Sequence, residues 1–239
     1  YSIGGPADVV ADGLVLDADG SRFMVRLPNG RAFQVATPLV ARYNVSNCLA
    51  ALAVGYLHGL DPDLMARTLA AFPGVHGRMQ RVDAGQPFAV VVDYAHTADS
   101  LEKVLTVLRP LTKGRLIVVF GSAGERDRVK RPAMGAVAAR LADFAVITDE
   151  DPREEDAAAI LREIAAGAAA EGARAGEHYV CVVDRRAGIA AAMRAAQPGD
   201  TVLLAGKGHE QSQIVGTQKL PWDDQRVARD VLAEMGYRQ

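Results

Sequence analysis

The sequence predicts an α/β protein in which a mostly parallel sheet with flanking helices follows a β meander and two helices. Three observations support this fold class. Short apolar segments separated by turn residues occupy positions 1–40, a helical period begins at Asn44, and strand-like runs alternate with helical stretches after residue 77. Strands that alternate with helices of this length imply right-handed crossovers and parallel pairing.

Composition limits the functional classes. The 239 residues suffice for one large or two ordinary domains, with 49% hydrophobic and 23% charged residues. A net charge of −2 provides no basic field, so we expect neither nucleic acid nor membrane as a partner. No run is apolar enough to span a bilayer, and no signal peptide is visible. Cys48 and Cys181 lack paired spacing, which predicts buried thiols in a reducing, cytoplasmic compartment, without a zinc site or other metal centre.

The first forty residues predict an antiparallel meander. Its hairpin turns are Asp19-Gly20 and Asn29-Gly30, which are strong turn dipeptides. Its apolar segments are Leu14–Leu16, Phe23–Val25 and Phe33–Val35.

Two helices follow the meander. The helix that begins near Asn44 ends at Gly59, and Asp61-Pro62 predicts a capped start for the second helix. Pro73–Gly77 contains a proline and two glycines, which predicts a hinge or domain boundary.

The second part of the chain predicts the parallel sheet. Gly216-Thr217 lies in the middle of a segment, Gln213–Trp222, that predicts a hairpin appended at the sheet edge. The predicted strands are Phe88–Val92, Leu116–Phe120, Phe144–Ile147, Tyr179–Val183 and Val202–Ala205, with helical stretches between them and after the last.

The stretch Leu116–Arg131 combines a buried strand, a turn with Gly121 and Gly124, and a helix start near Pro132. Glycines let the backbone approach a ligand, and exposed N–H groups at a helix start favour anions. Four cations in this loop, Arg126, Arg128, Lys130 and Arg131, strengthen the prediction of an anion site. An ordinary strand-to-helix connection with a solvated charge run is the alternative.

Polar residues follow each predicted strand, where open parallel sheets bind ligands. Arg126, Arg153 and Lys207 could bind anions there. Carboxylates that could bind cations lie beside them. Such an edge suits a zwitterionic amino acid with a phosphate nearby. The segments are Asp93–Thr97, Gly121–Arg131, Thr148–Arg153, Asp184–Arg186 and Gly206–Glu210, and the carboxylates are Glu150, Asp151 and Glu210.

Each of these features also has a structural explanation. Asp93 and Thr97 could cap a helix, and His96 could be a structural hydrogen-bonding residue. The acidic turn 149–151 could be solvated. Gly206-Lys207-Gly208 lacks the spacing of a Walker phosphate loop.

Several motifs together resemble the Mur ligases, the ATP-dependent amide-forming enzymes of peptidoglycan precursor synthesis. The last two motifs resemble the branch of that family that adds a diamino acid. The motifs are Tyr43-Asn44-x-x-Asn47-x-x-Ala50-Ala51, Pro73-Gly74-x-x-Gly77-Arg78-Met79, Val92–Thr97, Gly121–Pro132, Asp149–Arg153 and Gly206–Glu210.

The resemblance implies a domain organisation. Residues 1–77 would be the C-terminal remnant of a central ATP-binding domain, and residues 78–239 a Rossmann-like C-terminal Mur ligase domain. The chain contains no G-x-x-x-x-G-K-S/T loop, and no counterpart of the family's carbamylated lysine or magnesium ligands. We expect those elements upstream of Tyr1, so the chain alone should not turn over.

The resemblance also implies a reaction and its residues. ATP, with Mg²⁺, would phosphorylate the D-glutamate side chain of UDP-MurNAc-L-Ala-D-Glu, and the amine of a diamino acid would attack the acyl phosphate. No catalytic residue is assigned within this chain. Asn44, Arg78, Asp93 and His96 would contact ATP. The diamino acid would contact Arg126, Glu150, Asp151, Pro152, Arg153, Gly206 and Glu210.

The diamino acid is left open by the motif at Glu150–Arg153. The family's diaminopimelate motif is Asp-Asn-Pro-Arg, and Arg153 would suit the distal carboxylate of meso-diaminopimelate. Asp151 replaces a neutral amide and favours a lone ammonium, as in L-lysine or L-ornithine. Arg153 tips the interpretation toward diaminopimelate. Alternatives are a cyanophycin or folylpolyglutamate synthetase, and a nucleotide-binding module without catalysis.

Overall fold

The computed structural model describes residues 1–17 and 20–238, which form two compact units, Tyr1–Gly74 and Val75 onward. The boundary falls inside the glycine- and proline-containing segment expected to act as a hinge. Assigning the units to two named domains remains a prediction. Among the described residues, every helix is too short or too polar to cross a bilayer.

The first unit is a sheet covered by two helices. Its strands pair in the order β1-β2-β3-β4, and all neighbours are antiparallel except β1 and β2. The parallel β1–β2 pair corrects the prediction of a wholly antiparallel meander. The elements are β1 (Ser2–Ile3), β2 (Val10–Asp17), β3 (Gly20–Arg26), β4 (Ala32–Thr37), α1 (Arg42–Leu57) and α2 (Pro62–Ala71).

Alternation along the strands builds the core of this unit. Phe23 and Val25 of β3 are buried against Leu49 of α1, because successive side chains of a strand point to opposite faces. Gly30 confirms the second predicted turn, with φ +82° and a hydrogen bond from its N–H to the Leu27 carbonyl. Asp19 of the first predicted turn lies outside the described residues.

The helix boundaries of this unit follow the predicted signals. Asp61 caps α2 by accepting hydrogen bonds from the N–H groups of Asp63 (2.8 Å) and Leu64 (2.9 Å). Gly59, with φ +73°, terminates the turn after α1.

The second unit contains a doubly wound sheet with the order β5-β6-β10-β7-β8-β9. Strands β6 to β10 pair in parallel, and β5 is antiparallel to β6. The elements are β5 (Gln80–Arg81), β6 (Ala89–Asp93), α3 (Ala98–Leu108), a 3-10 turn (Arg109–Leu111), β7 (Leu116–Phe120), α4 (Lys130–Leu141), β8 (Phe144–Thr148), α5 (Ala157–Ala170), β9 (Tyr179–Val182), α6 (Arg185–Ala195), β10 (Thr201–Ala205), β11 (Ser212–Val215), β12 (Gln218–Pro221) and α7 (Asp224–Glu234).

The central strands are buried on both faces, as parallel sheets require. Val119 of β7 and Leu204 of β10 pack in one core cluster with Ile189 of α6 and Val231 of α7. Alternate residues of the same strands face the layer of α3, α4 and α5. This predicted alternation of strands and helices is confirmed.

Two local predictions are wrong. The predicted hairpin is present as the antiparallel strands β11 and β12, but within the described residues it forms a separate two-stranded sheet and does not extend the main sheet. Cys181 is exposed because it lies on β9, at the sheet edge, whereas Cys48 is buried.

Candidate functional site

The carboxyl ends of the parallel strands β6, β7, β8 and β10 meet at one edge of the sheet, as the sequence predicts. Because the strands run in register, the polar segments that follow them become neighbours. Direct contacts join these segments: the Gly206 N–H donates to the Asp93 carbonyl (3.2 Å), and the Gly124 N–H donates to the Asp151 carbonyl (2.7 Å).

The segment after β8 supplies a buried acidic turn. Asp149, Glu150 and Asp151 are only 8%, 6% and 8% exposed. Burial raises the pKa of Asp149 to about 6, against the opposing charge of Arg185. Burial also raises the pKa of Glu150. Among the described residues, Asp149 Oδ1 and Glu150 Oε2 accept no hydrogen bond, so the turn is not the solvated loop of the alternative interpretation.

Lys207 neutralises part of this turn. Its ammonium group is fully buried and donates to Asp151 Oδ1 (2.8 Å) and Glu210 Oε2 (2.6 Å). Asp151 Oδ1 also accepts from the Ile214 N–H (2.8 Å). The expectation that Lys207 binds a ligand anion is therefore wrong, because two carboxylates of the chain already occupy it.

Arg153 has a guanidinium with no hydrogen-bond or ion-pair partner among the described residues. Its Nε is buried and finds no acceptor in the part of the chain that the structure describes. Its backbone is fixed at φ +55° by a hydrogen bond from its N–H to the Ile214 carbonyl (3.1 Å) and one from the Gly216 N–H to its carbonyl (2.8 Å). Pro152, immediately before it, is buried.

Gly206 is required where β10 ends beside the acidic turn. Its φ of +110° is unfavourable for residues with a side chain. A Cβ at this position would lie 3.2 Å from Glu150 Oε2. The absence of a side chain therefore keeps space open around the unpaired Glu150 carboxylate.

Tyr94 links the segments after β6 and β10. Its hydroxyl donates to Glu210 Oε1 (3.2 Å), and its ring lies 4.6 Å from His96 and 4.7 Å from His209. The Arg78 guanidinium lies 4.7 Å above the same ring. Burial and then Glu210 raise the pKa of Tyr94, so this hydroxyl remains a donor.

Asp93 is buried and organises its own loop. Its Oδ2 accepts from the Met79 N–H (2.8 Å) and its Oδ1 from the Ala95 N–H (2.9 Å). Burial raises the pKa of Asp93, and these backbone donors oppose the shift. The capping role belongs to Thr97, which starts α3 with a capping box to Ser100.

His96 is oriented by its own loop. Its Nδ1 donates to the Tyr94 carbonyl (2.8 Å), which leaves Nε2 as the free ring nitrogen. The Lys130 ammonium donates to the His96 carbonyl (2.9 Å), so the loop after β6 contacts the start of α4.

The cationic loop before α4 is mostly engaged within the protein. Arg131 is fully buried against Glu155 and Glu163, and Arg128 pairs with Glu163. Arg126 is exposed and has no hydrogen bond or ion pair to any residue that the structure describes. Within the described residues, Arg126 and Lys130 are therefore the two of the four loop cations that have no carboxylate partner, and Lys130 donates to a backbone carbonyl.

Asn44 lies in the first unit, on α1. Its Nδ2 donates to the Val40 carbonyl (2.8 Å), and its Oδ1 accepts from Asn47 (3.2 Å). The structure brings the remaining candidate residues together in the second unit.

Two contributors were given no role from the sequence, Tyr94 and Arg185, although Tyr94 stands inside a motif. Arg131 was counted among the cations of the predicted anion site, but it is paired with Glu155 and Glu163. No pattern in the sequence distinguishes a buried paired arginine from a solvated one. Arg185 follows β9 and ties the ends of β8 and β10 through hydrogen bonds to the carbonyls of Asp149 and Ala205 (3.0 Å each).

The family model for the Mur ligase glutamate ligase domain matches residues 77–208, more than half of the chain. The chain belongs to the Mur ligase family. The matched region of this Mur ligase chain contains the main sheet from β5 to β10 and most of the segments at its carboxyl edge.

Two curated relatives are similar in sequence to this Mur ligase chain. It is 51% identical to the UDP-N-acetylmuramyl-tripeptide synthetase of Roseiflexus sp. (strain RS-1), over 99% of this chain and 46% of that protein. It is 48% identical to the UDP-N-acetylmuramoyl-L-alanyl-D-glutamate–2,6-diaminopimelate ligase of Synechococcus elongatus, over 98% of this chain and 46% of that protein. The chain thus spans less than half the length of these curated relatives.

A solved structure of a UDP-N-acetylmuramoyl-L-alanyl-D-glutamate–2,6-diaminopimelate ligase shares the fold of this Mur ligase chain. The TM-score is 0.71 and the sequence identity is 33%, over 97% of this chain and 46% of the solved one.

Proposed function

We propose that this chain is part of an ATP-dependent ligase that joins a diamino acid to UDP-MurNAc-L-Ala-D-Glu, with meso-diaminopimelate favoured. The names of the similar proteins support the reaction class. The observation that carries the choice of amino acid is the unpaired Arg153 guanidinium beside an Asp151 that Lys207 already neutralises.

The state of Asp151 argues against lysine or ornithine. A free carboxylate there would receive a side-chain ammonium, but this one already accepts hydrogen bonds from the Lys207 ammonium and the Ile214 N–H. A second ammonium would have to compete with a buried cation. Arg153, in contrast, offers an unsatisfied buried N–H, and a carboxylate is the ligand that satisfies a guanidinium best.

The remaining groups suit the rest of a diamino acid. Arg126 offers a second unpaired guanidinium for a carboxylate. Glu150 Oε2 accepts no hydrogen bond from the described residues, so it can receive an ammonium group, and Gly206 leaves space beside it. Both oxygens of Glu210 already accept hydrogen bonds, from Lys207 and from Tyr94, so Glu210 lines this region without a free acceptor. Pro152 fixes the backbone before Arg153. A molecule with both amine and carboxylate groups complements this distribution of charge.

We assign the nucleotide to the other side of Tyr94. Arg78 is exposed and lies on the Tyr94 ring, where its charge can meet a phosphate, and His96 presents its free Nε2. Asp93 holds the loop between them. The assignment of Asn44 to ATP rests on the resemblance of its motif alone. ATP supplies the phosphoryl group that activates the D-glutamate side-chain carboxylate. The amine displaces phosphate from this acyl phosphate and forms the amide.

A magnesium site does not fit the residues of this chain. The described ranges, 1–17 and 20–238, contain no group of three His, Cys, Asp or Glu side chains that could hold a metal ion. No step assigned to these residues passes through Mg²⁺.

The test is amino-acid-dependent phosphate release by the full-length protein, given ATP, Mg²⁺ and UDP-MurNAc-L-Ala-D-Glu. Release with meso-diaminopimelate is expected. Release with glutamate on a folate acceptor would instead indicate a folylpolyglutamate synthetase, and release on a cyanophycin acceptor a cyanophycin synthetase. No release with any amino acid would favour a nucleotide-binding module.

Arg153→Ala tests the choice of amino acid. Losing hydrogen bonds to a charged group costs about 1.5–3 kcal/mol, so kcat/KM for diaminopimelate should fall about 10- to 100-fold. The low activity with lysine should change little. Arg162→Ala, which removes an exposed arginine on α5, is the matched control and should alter neither. Equal losses for both amino acids would show that Arg153 does not bind a second carboxylate.

A further inference from the structure

Two loops at the carboxyl edge contact each other directly. One loop, residues 121–131, carries Arg126, and the other, residues 149–156, carries Arg153. Besides the Gly124–Asp151 hydrogen bond, the Glu125 N–H donates to Glu155 Oε1. One backbone–backbone and one backbone–side-chain hydrogen bond therefore hold the loops against each other.

The closeness of the loops is visible at Gly124. A Cβ at this position would lie 1.9 Å from the Pro152 carbonyl oxygen, which is closer than any two such atoms can approach. Only glycine permits this contact. The backbone of the first loop thus touches the residue that precedes Arg153.

The buried Arg131 side chain forms hydrogen bonds to both loops. Its Nη1 and Nη2 donate to the two carboxylate oxygens of Glu155 (2.9 and 3.0 Å), which is a bidentate pair. Nη2 also donates to the Ala123 carbonyl (3.2 Å) in the first loop, and Nη1 donates to Glu163 of α5 (2.9 Å). Arg131 itself is completely buried, so it cannot contact a ligand at the carboxyl edge.

Both loops contain a non-glycine residue in the left-handed region: Glu125 has φ +54° and Arg153 has φ +55°. Such conformations cost about 1–3 kcal/mol and persist only where surrounding contacts enforce them. The Glu155 carboxylate accepts the Glu125 N–H and Arg131 donates to the Ala123 carbonyl, so this pair constrains the first loop directly. The Arg153 backbone is held by Ile214 and Gly216, and the Arg131–Glu155 pair ties the first loop to the loop that carries it.

We propose that Arg131 and Glu155 form a clamp that fixes the spacing between Arg126 and Arg153, and so makes the site selective for a ligand with two separated carboxylates. This rests on the proposed function. Arg131 is a positioning residue: it acts on the ligand through the two loops. Lysine, which has one carboxylate, engages one of the two arginines and does not depend on their spacing.

The test uses the full-length protein with Arg131→Lys and Glu155→Gln. The lysine side chain introduced at position 131 keeps the positive charge but cannot form the bidentate pair. The glutamine side chain introduced at position 155 loses the negative charge and one acceptor oxygen. Each variant should raise KM for diaminopimelate about tenfold, with kcat within about twofold and KM for lysine nearly unchanged. The double variant should be no worse than Arg131→Lys alone, because the Arg131–Glu155 pair is already lost in that single variant.

The matched control is Arg140→Lys with Glu171→Gln. This pair also joins α4 to α5, at a distance of 2.8 Å, but it is exposed and lies away from the loops. It should change neither KM. Equal rises of KM for diaminopimelate and lysine, or a lower melting temperature with no change in KM, would show that the clamp has only a structural role.

A second readout is independent of activity. Amide hydrogen exchange in segments 121–131 and 149–156 should accelerate in Arg131→Lys and remain unchanged in Arg140→Lys. Absence of diaminopimelate-dependent turnover in the parent protein would reject the proposed function, while the exchange data would still decide the clamp. Unchanged exchange in both segments would overturn the clamp whatever the substrate.

Discussion

Replacing Arg185 by methionine tests how the carboxyl edge is held together. Arg185 and Asp224 are both 0% exposed and form a bidentate pair with distances of 2.8 and 2.6 Å. The same guanidinium donates to the carbonyls of Asp149 and Ala205. One buried side chain thus joins the ends of β8 and β10 to the start of α7.

The expected magnitude follows from what Arg185→Met leaves behind. Asp224 stays buried and keeps the Trp222 indole N–H as a donor (2.8 Å), but it loses its counter-charge. Removing one member of a buried ion pair costs about 3–5 kcal/mol. Replacing both members by apolar residues is often close to neutral, so Arg185→Met/Asp224→Leu should lose less than the single variant.

Urea denaturation followed by circular dichroism measures these free energies of unfolding. Arg186→Met is the matched control, because Arg186 pairs with Glu234 across the same two helices but the side chains are 42% and 50% exposed. It should cost at most about 1 kcal/mol. The reasoning is refuted if Arg185→Met costs no more than Arg186→Met, or if the double variant is less stable than Arg185→Met.

Two further perturbations probe the second unit. Burial raises the pKa of Asp149 to about 6, so the native state holds this proton more tightly than the unfolded chain, and its contribution to stability falls as pH rises from about 4 to 6. The melting temperature of Asp149→Asn relative to the parent should therefore increase between about pH 4 and about pH 8; a constant difference would contradict this account. Gly135→Ala would place a Cβ 1.9 Å from the Ile164 carbonyl oxygen, where α4 meets α5, and should cost about 1–3 kcal/mol of unfolding free energy. Ala133→Ser, at an exposed position of α4, is its control, and equal stability of the two variants would show that the helices can move apart.

Much of the fold followed from periodicity. The strand Leu116–Phe120 was predicted to the residue, since a buried β-branched run bounded by glycine leaves few alternatives. It was harder to predict which strands pair with each other in a sheet. The hairpin β11–β12 carries a clear turn at Gly216, yet nothing in its sequence indicates that it forms a separate sheet rather than extending the main one.

The candidate site shows the same division. The positions of Glu150, Asp151 and Arg153 after a strand placed them at the correct edge of the sheet. Their chemical state depends on residues distant in the sequence: Lys207, 56 positions from Asp151, neutralises its carboxylate. The charge of a side chain is given by its type, but its availability to a ligand depends on the neighbours that the fold provides.

By itself, then, the sequence determined the order of helices and strands, the family motifs and the edge where they converge, because these depend on local periodicity and on chain direction. Only the tertiary structure decided that Arg131 and Lys207 are buried within ion pairs while Arg126 and Arg153 remain unpaired. Burial and pairing depend on distances between segments far apart in the chain. In a low-dielectric interior those distances determine which charges are neutralised and which can bind a ligand.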